Sequence, residues 1–223
     1  MTTAGIGRNG ESRTPTGPIR GVVFDLDGTL VKEQHDYDAI RRELGLAPKT
    51  PVLEGVASLS AAEQRKAQEV LYRHEQAAAH TAVLNPGVAD FVEWLDAREI
   101  KRGLFSRNSR AAVAVVLARC QLRFETVVAR EDAPHKPRPD GLLRICGDWG
   151  FSPCHVLMIG DYLFDIQAGA QAGTRTALIT HGRSLPFADL ADVAFSGFEA
   201  IPEMLREWFG DGEASATRQA DEG

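Results

Sequence analysis

Gly21-Val22-Val23-Phe24-Asp25-Leu26-Asp27-Gly28-Thr29-Leu30 is the stretch from which the architecture of this chain can be read. Its first four residues form a short apolar, partly β-branched run, the pattern of a strand buried on both faces. The run stops at Asp25, and a second aspartate, Asp27, follows two positions later on a turn that contains Gly28. Two ionised carboxylates held so close raise the pKa of one unless a cation or a proton sits between them. The pair therefore points to a metal site, an acid/base pair, or both, rather than to acidic residues simply entering solvent.

Downstream, apolar runs alternate with helical patterns, the signature of βαβ units and a parallel sheet. Strands are predicted near Gly21–Asp25, Lys101–Ser106, Phe124–Ala129, His155–Gly160, Arg175–Thr180 and Asp192–Phe195. Crossover helices are predicted at Gly87–Arg98, Ser109–Arg119 and Asp140–Trp149, each with apolar residues recurring on one face. The predicted fold class is α/β: a doubly wound, mainly parallel, Rossmann-like sheet. One interval breaks the rhythm. Between Val31 and Asn85 there are only two helical patterns, Tyr37–Leu46 and a longer one from about Ala61 to His80, the latter opened by Ser60 and Glu63 at capping-box spacing. This pair of helices is predicted to be an insertion over the carboxyl edge of the sheet, where open α/β sheets place their ligands.

Three further strand ends carry polar chemistry. Ser106-Arg107-Asn108-Ser109 offers a hydroxyl and the free N–H groups of a helix start, suited either to an oxyanion cradle or to plain N-capping. Glu131 to Asp140 contains Lys136 between prolines, in a chain that otherwise prefers arginine to lysine; such a lysine is a compact charge for a phosphoryl oxygen or an exposed loop residue. Met158-Ile159-Gly160-Asp161-Tyr162-Leu163-Phe164-Asp165 adds two more acidic residues, although Asp165 alone also suits a helix dipole. As a set, these groups at one sheet edge suit a hard cation and an anionic substrate.

In order along the chain, Asp25-Leu26-Asp27-Gly28-Thr29, Ser106, Lys136 and Gly160-Asp161-Tyr162-Leu163-Phe164-Asp165 resemble the four motifs of the haloacid dehalogenase-like hydrolase superfamily, and the resemblance spans residues 20 to 205. It implies a core of residues 19–31 and 86–210 and a small helical cap of residues 32–85, like that of phosphoglycolate phosphatase-like members. It also implies Asp25 as nucleophile, forming an aspartyl-phosphate, and Asp27 as proton donor and then acceptor. Mg2+ would be held by Asp25, the Asp27 main-chain carbonyl and Asp161, with Asp165 orienting Lys136 or a metal-bound water. Ser106, Arg107, Asn108 and Lys136 would bind the phosphoryl oxygens. The dehalogenase branch has no aspartate at the place of Asp27, so the resemblance favours a Mg2+-dependent phosphomonoesterase acting on a small phosphorylated metabolite. A phosphomutase shares all four motifs. A phosphonatase would need a cap lysine, for which Lys32, Lys49 and Lys66 are available. A phospho-aspartate receiver or a catalytically inactive binding protein on the same fold is the reading from another class. His35, Tyr37, Arg41 and Arg42 are placed to face the substrate, the two arginines being equally suited to a solvated helix face.

Composition sets the remaining expectations. A formal net charge of -6 argues against a nucleic-acid partner, and 43% hydrophobic with 25% charged residues is ordinary soluble composition. Cys120, Cys146 and Cys154 lack CxxC spacing, and no leader-like or membrane-length apolar run occurs, so a cytoplasmic protein without membrane contact is expected. No oligomeric state is legible. Residues 1–18 and 211–223 have the polar composition of disordered tails. Gly5-Ile6-Gly7-Arg8-Asn9-Gly10 matches GxGxxG, but neither a strand before it nor an apolar helix after it supports a dinucleotide site.

Overall fold

A computed structural model of the chain describes residues 17–200 and 206–210. The GxGxxG match and nearly all of both predicted tails lie outside these residues. Six parallel strands form one sheet: β1 (Gly21–Phe24), β2 (Lys101–Phe105), β3 (Thr126–Val128), β4 (Val156–Gly160), β5 (Arg175–Ile179) and β6 (Val193–Phe195), in the order β3-β2-β1-β4-β5-β6. The direction of winding reverses at β1, between β2 and β4, so the chain has its topological switch point at the end of the Gly21–Phe24 run. Phe24 is in register with Leu104 on one side and Ile159 on the other. The first residues beyond the ends of the three strands, Asp25, Ser106 and Asp161, therefore emerge close together.

Burial on both faces explains the apolar composition of β1. Val22 and Phe24 enter a core shared with α4 (Val88–Asp96) and α5 (Arg110–Cys120). Val23, from the opposite face, enters a second core with Phe105, Leu142, Ile145 and Trp149, to which α6 (Asp140–Trp149) and α7 (Leu163–Ala172) contribute. Strand alternation thus sends successive residues of one run into two different layers.

The insertion after β1 holds three helices where the periodicity predicts two: α1 (Tyr37–Glu43), α2 (Val52–Ala57) and α3 (Ala61–Thr81). The missed helix, α2, has six residues, too few to show a helical period, and it begins directly after Pro51. The predicted capping box at Ser60 and Glu63 is present at the start of α3. Ile40, Val52, Val56, Ala67 and Leu71 form a small apolar cluster of the insertion's own. Its two ends return to the core through Val31, which bridges both Asp27 and Leu84. Among the described residues no helix is long and apolar enough to cross a membrane, and all three cysteines are free.

Candidate active site

The strand ends and the insertion enclose a cavity of about 270 Å³. At its base lies Lys136, brought from the segment between β3 and α6 and 1% exposed. Its ammonium donates to Asp25 Oδ1 and to Asp165 Oδ1, the latter at 2.7 Å. Burial alone would lower the lysine pKa, but Asp165 and Asp25 together hold it above the ordinary lysine value. Asp165, in the first turn of α7, uses its other oxygen to accept the Tyr162 N–H at 3.0 Å. Its side chain is therefore both a local helix-start contact and the orienting partner of Lys136.

Asp25, Asp161 and Asp165 present oxygens within 4.8 Å of one another. Burial raises Asp25 to about 7, with Asp165 and Asp27 adding to the effect against the pull of Lys136. Burial, then Asp25 and Asp165, raises Asp161 to about 8. Glycine is required beside this cluster. Gly28 has φ 78, and a Cβ there would stand 2.4 Å from Asp161 Oδ2; a Cβ on Gly160 would stand 2.2 Å from the Asp165 carboxyl carbon. The acidic groups can approach the backbone because those two positions have no side chain.

Asp27 does not share that cluster through its carboxylate. Asn108 Nδ2 donates to its Oδ2 at 2.6 Å, while its Oδ1 lies 3.8 Å from His35 Nδ1, in a separate group with Glu33. Burial raises Asp27 to about 6, against the attraction of His35 and the Asn108 hydrogen bond. The two aspartates of the opening motif thus have different surroundings: one faces an ammonium and further acids, the other an amide and an imidazole.

The β2 end departs from the predicted roles in detail. Ser106 is buried, its Oγ accepts the Asn108 N–H at 3.1 Å, and it is Ser109 that caps α5. Arg107 and Asn108 line the cavity; Ser106 does not. The Arg107 guanidinium is bound bidentately by Glu54 of α2, at 2.9 and 2.7 Å, donates to the Lys136 carbonyl at 2.8 Å and lies over the Phe164 ring. It ties the insertion to the sheet edge rather than standing free for a phosphoryl group.

Residues 19–173 match the family profile of the haloacid dehalogenase-like hydrolases. The chain belongs to that family. Among curated relatives, a haloacid dehalogenase-like hydrolase domain-containing protein of Arabidopsis thaliana is 36% identical over 72% of this chain and 71% of its own length. A phosphoglycolate phosphatase of Chromobacterium violaceum is 31% identical over 84% of this chain and 97% of its own. Among solved structures, CbbY of Rhodobacter sphaeroides in complex with phosphate superposes with a TM-score of 0.63 at 20% identity, covering 81% of this chain and 95% of that one, and so shares the fold.

Several residues of this haloacid dehalogenase-like hydrolase that shape the site carry no sequence motif. Glu75 of α3, 5% exposed, accepts from Arg130 at the end of β3 and from the Ser109 N–H at 3.2 Å. Asn85 Nδ2 donates to the Thr29 carbonyl at 2.7 Å, and His181 Nε2 lies 2.5 Å from the Gly28 carbonyl, so both brace the turn after Asp27. Glu33 accepts from His35 and from the Tyr37 hydroxyl. Of the residues predicted to face substrate, His35, Tyr37 and Arg41 line the cavity, while Arg42 is solvent-exposed. Of the three insertion lysines, Lys49 reaches the cavity wall.

Proposed function

We propose that this chain is a Mg2+-dependent phosphomonoesterase acting on a small phosphorylated metabolite, with Asp25 as nucleophile. The observation that carries the reading is the convergence on one ammonium: Asp25 and Asp165 both bind Lys136, with Asp161 in the same acidic group and Asp27 beside it on a different partner. Family membership and the relatives named as phosphatases support it. Residues 32–85, including α1–α3, serve as a cap over the site.

The acidic group fits Mg2+. It is built of hard oxygen donors, and burial, with the neighbouring carboxylates adding to it, raises the proton affinities of Asp25 and Asp161, a penalty on their ionised forms that a bound cation would offset. Asp25 and Asp161 would hold the ion, with the Asp27 main-chain carbonyl, and Asp165 acts mainly through Lys136. When bound, Mg2+ supplies charge stabilisation for the transferring phosphoryl group.

In the first displacement an Asp25 carboxylate oxygen attacks phosphorus. The bond to the leaving alcohol breaks, and Asp27 gives that oxygen a proton. In the second, Asp27 takes a proton from water, the water oxygen attacks phosphorus, and the Asp25 carboxylate leaves. A carboxyl group at about 6 can cycle its proton near neutral pH. Asn108 keeps one Asp27 oxygen engaged, which fixes the direction in which the other works. Lys136 and the N–H groups after Ser106 would steady the phosphoryl oxygens.

The test is Mg2+-dependent phosphate release from p-nitrophenyl phosphate and a panel of phosphometabolites, ranked by kcat/KM. Turnover that vanishes in Asp25→Asn is expected. A chain inactive on the whole panel, or an active Asp25→Asn variant, would remove the reading. Phosphoglycolate belongs in the panel because relatives carry that name. A lysine forming a Schiff base in a phosphonatase acts from a dry pocket. Lys49 is exposed, which favours the ester reading.

A further inference from the structure

The cavity wall away from the acidic cluster contains several cations, and nearly all are already bound. Arg107 is held by Glu54, Arg130 by Glu75, and Lys136 by Asp25 and Asp165. His35 is held by Glu33, and Arg41 donates to Asp38 and, through Nε, to the Thr50 carbonyl at 2.8 Å. Among the described lining residues Lys49 is different: its ammonium has no hydrogen-bond, ion-pair or ring partner. The wall carboxylates Glu33 and Glu75 are paired as well, which leaves Lys49 as the unpartnered cation among the described lining residues.

The backbone beneath that charge is also unusual. Lys49 has φ 64, the left-handed region that a side chain disfavours and glycine accepts freely. The loop between α1 and α2 fixes it there: Thr50 N–H returns to the Ala47 carbonyl at 3.2 Å, and Arg41 clamps Thr50 from α1. Fold stability would be served as well or better by glycine. Lys49 thus combines a backbone conformation that favours glycine with an unpaired ammonium on a residue of the cavity wall.

We propose that Lys49 is a specificity-determining residue that pairs with an anionic group on the leaving alcohol, so that the preferred substrates are phosphomonoesters carrying a second negative group, a carboxylate or a further phosphate. This rests on the phosphomonoesterase reading. An ammonium on a flexible stem attracts such a group as a point charge, without the bidentate geometry of arginine, and so accepts either anion.

The test uses the full chain with Mg2+ and three phosphate esters of matched length: phosphoglycolate, an alkanediol bisphosphate, and the neutral alkyl phosphate. The quantity read is the ratio of kcat/KM for each anionic ester to that for the neutral one. In Lys49→Gly and Lys49→Gln the ratio is expected to fall about tenfold for at least one anionic ester, mainly through KM, and to be largely kept in Lys49→Arg. The ester that loses its advantage identifies the anion. A thermal midpoint of Lys49→Gly at or above the parent's verifies that the fold is intact. If both ratios are unmoved in Lys49→Gly, or if the parent shows no preference for either anionic ester, the proposal is overturned while the phosphomonoesterase reading stands. Absence of turnover on all three esters and on p-nitrophenyl phosphate would remove both.

Discussion

Lys136 holds two carboxylates that arrive from opposite ends of the chain, Asp25 from the end of β1 and Asp165 from α7. Removing one partner of a buried ion pair leaves uncompensated charge and costs about 3–5 kcal/mol, well above the ~0–1 kcal/mol of an exposed pair. Lys136→Met is therefore expected to lose about 3 kcal/mol of unfolding free energy in urea at about pH 8; a loss under about 1 kcal/mol would contradict the arrangement. Asp27 makes a separate prediction. If it protonates the departing oxygen, Asp27→Asn should lower kcat on an alkyl phosphate by roughly 10²–10⁴-fold and on p-nitrophenyl phosphate, whose leaving group needs less help, by clearly less. Equal losses on the two esters would assign Asp27 another role. Lys136 stands out in the sequence because lysine is rare and this one lies between prolines. Asn108, Glu75 and His181 do not, because their partners are 81, 34 and 153 positions away and no local pattern records such a pairing.

Among the described residues two arginine–carboxylate pairs join the helical insertion to the core, and their surroundings differ. Glu75 of α3 is buried against Arg130 and the start of α5, whereas Glu54 of α2 meets Arg107 with side chains 37% and 22% exposed. Glu75→Ala is expected to cost about 3 kcal/mol, because it strands the Arg130 guanidinium and the Ser109 N–H; Glu54→Ala should cost under about 1 kcal/mol. Chemical denaturation of both variants checks the order, and hydrogen exchange should rise in α2 for Glu54→Ala without general loss of protection. Elements were legible where their signal is local. The start of α3 follows from Ser60 and Glu63, whose side chains satisfy each other's neighbouring N–H groups. α2 was not legible, since six residues between Pro51 and Ser58 span fewer than two turns. Ser106 shows a third case: its position at a strand end is plain from sequence, but which of Ser106 and Ser109 caps α5 depends on where the helix begins.

On the scale of the molecule, three acidic residues from the ends of β1 and β4 and from α7 share one group, so stability depends on pH, and a Mg2+ ion held there would couple that dependence to its own concentration. Asp25 and Asp161 are raised to about 7 and about 8, so between the unfolded carboxylate range and those values the folded chain binds more protons than the unfolded one. Their contribution to stability is complete at low pH and is lost as pH rises through about 7 and 8. Mg2+ needs the ionised forms and competes with those protons. A fixed Mg2+ concentration should therefore raise the thermal midpoint more at about pH 8 than at about pH 5.5, and Asp161→Asn should reduce that difference. Equal increments at both pH values would argue against an ion in this acidic group. The parallel α/β architecture, the place of the helical insertion and the polar residues at the strand ends are legible in the sequence, because strand burial, helix periodicity and capping act over a few neighbouring residues. The tertiary structure alone decided that Asp25 and Asp27 face different partners, that Arg107 is spent on Glu54, and that Lys49 is left unpaired. These outcomes depend on which charges meet across the sheet edge, and electrostatic partnership follows distance in space, not separation along the chain.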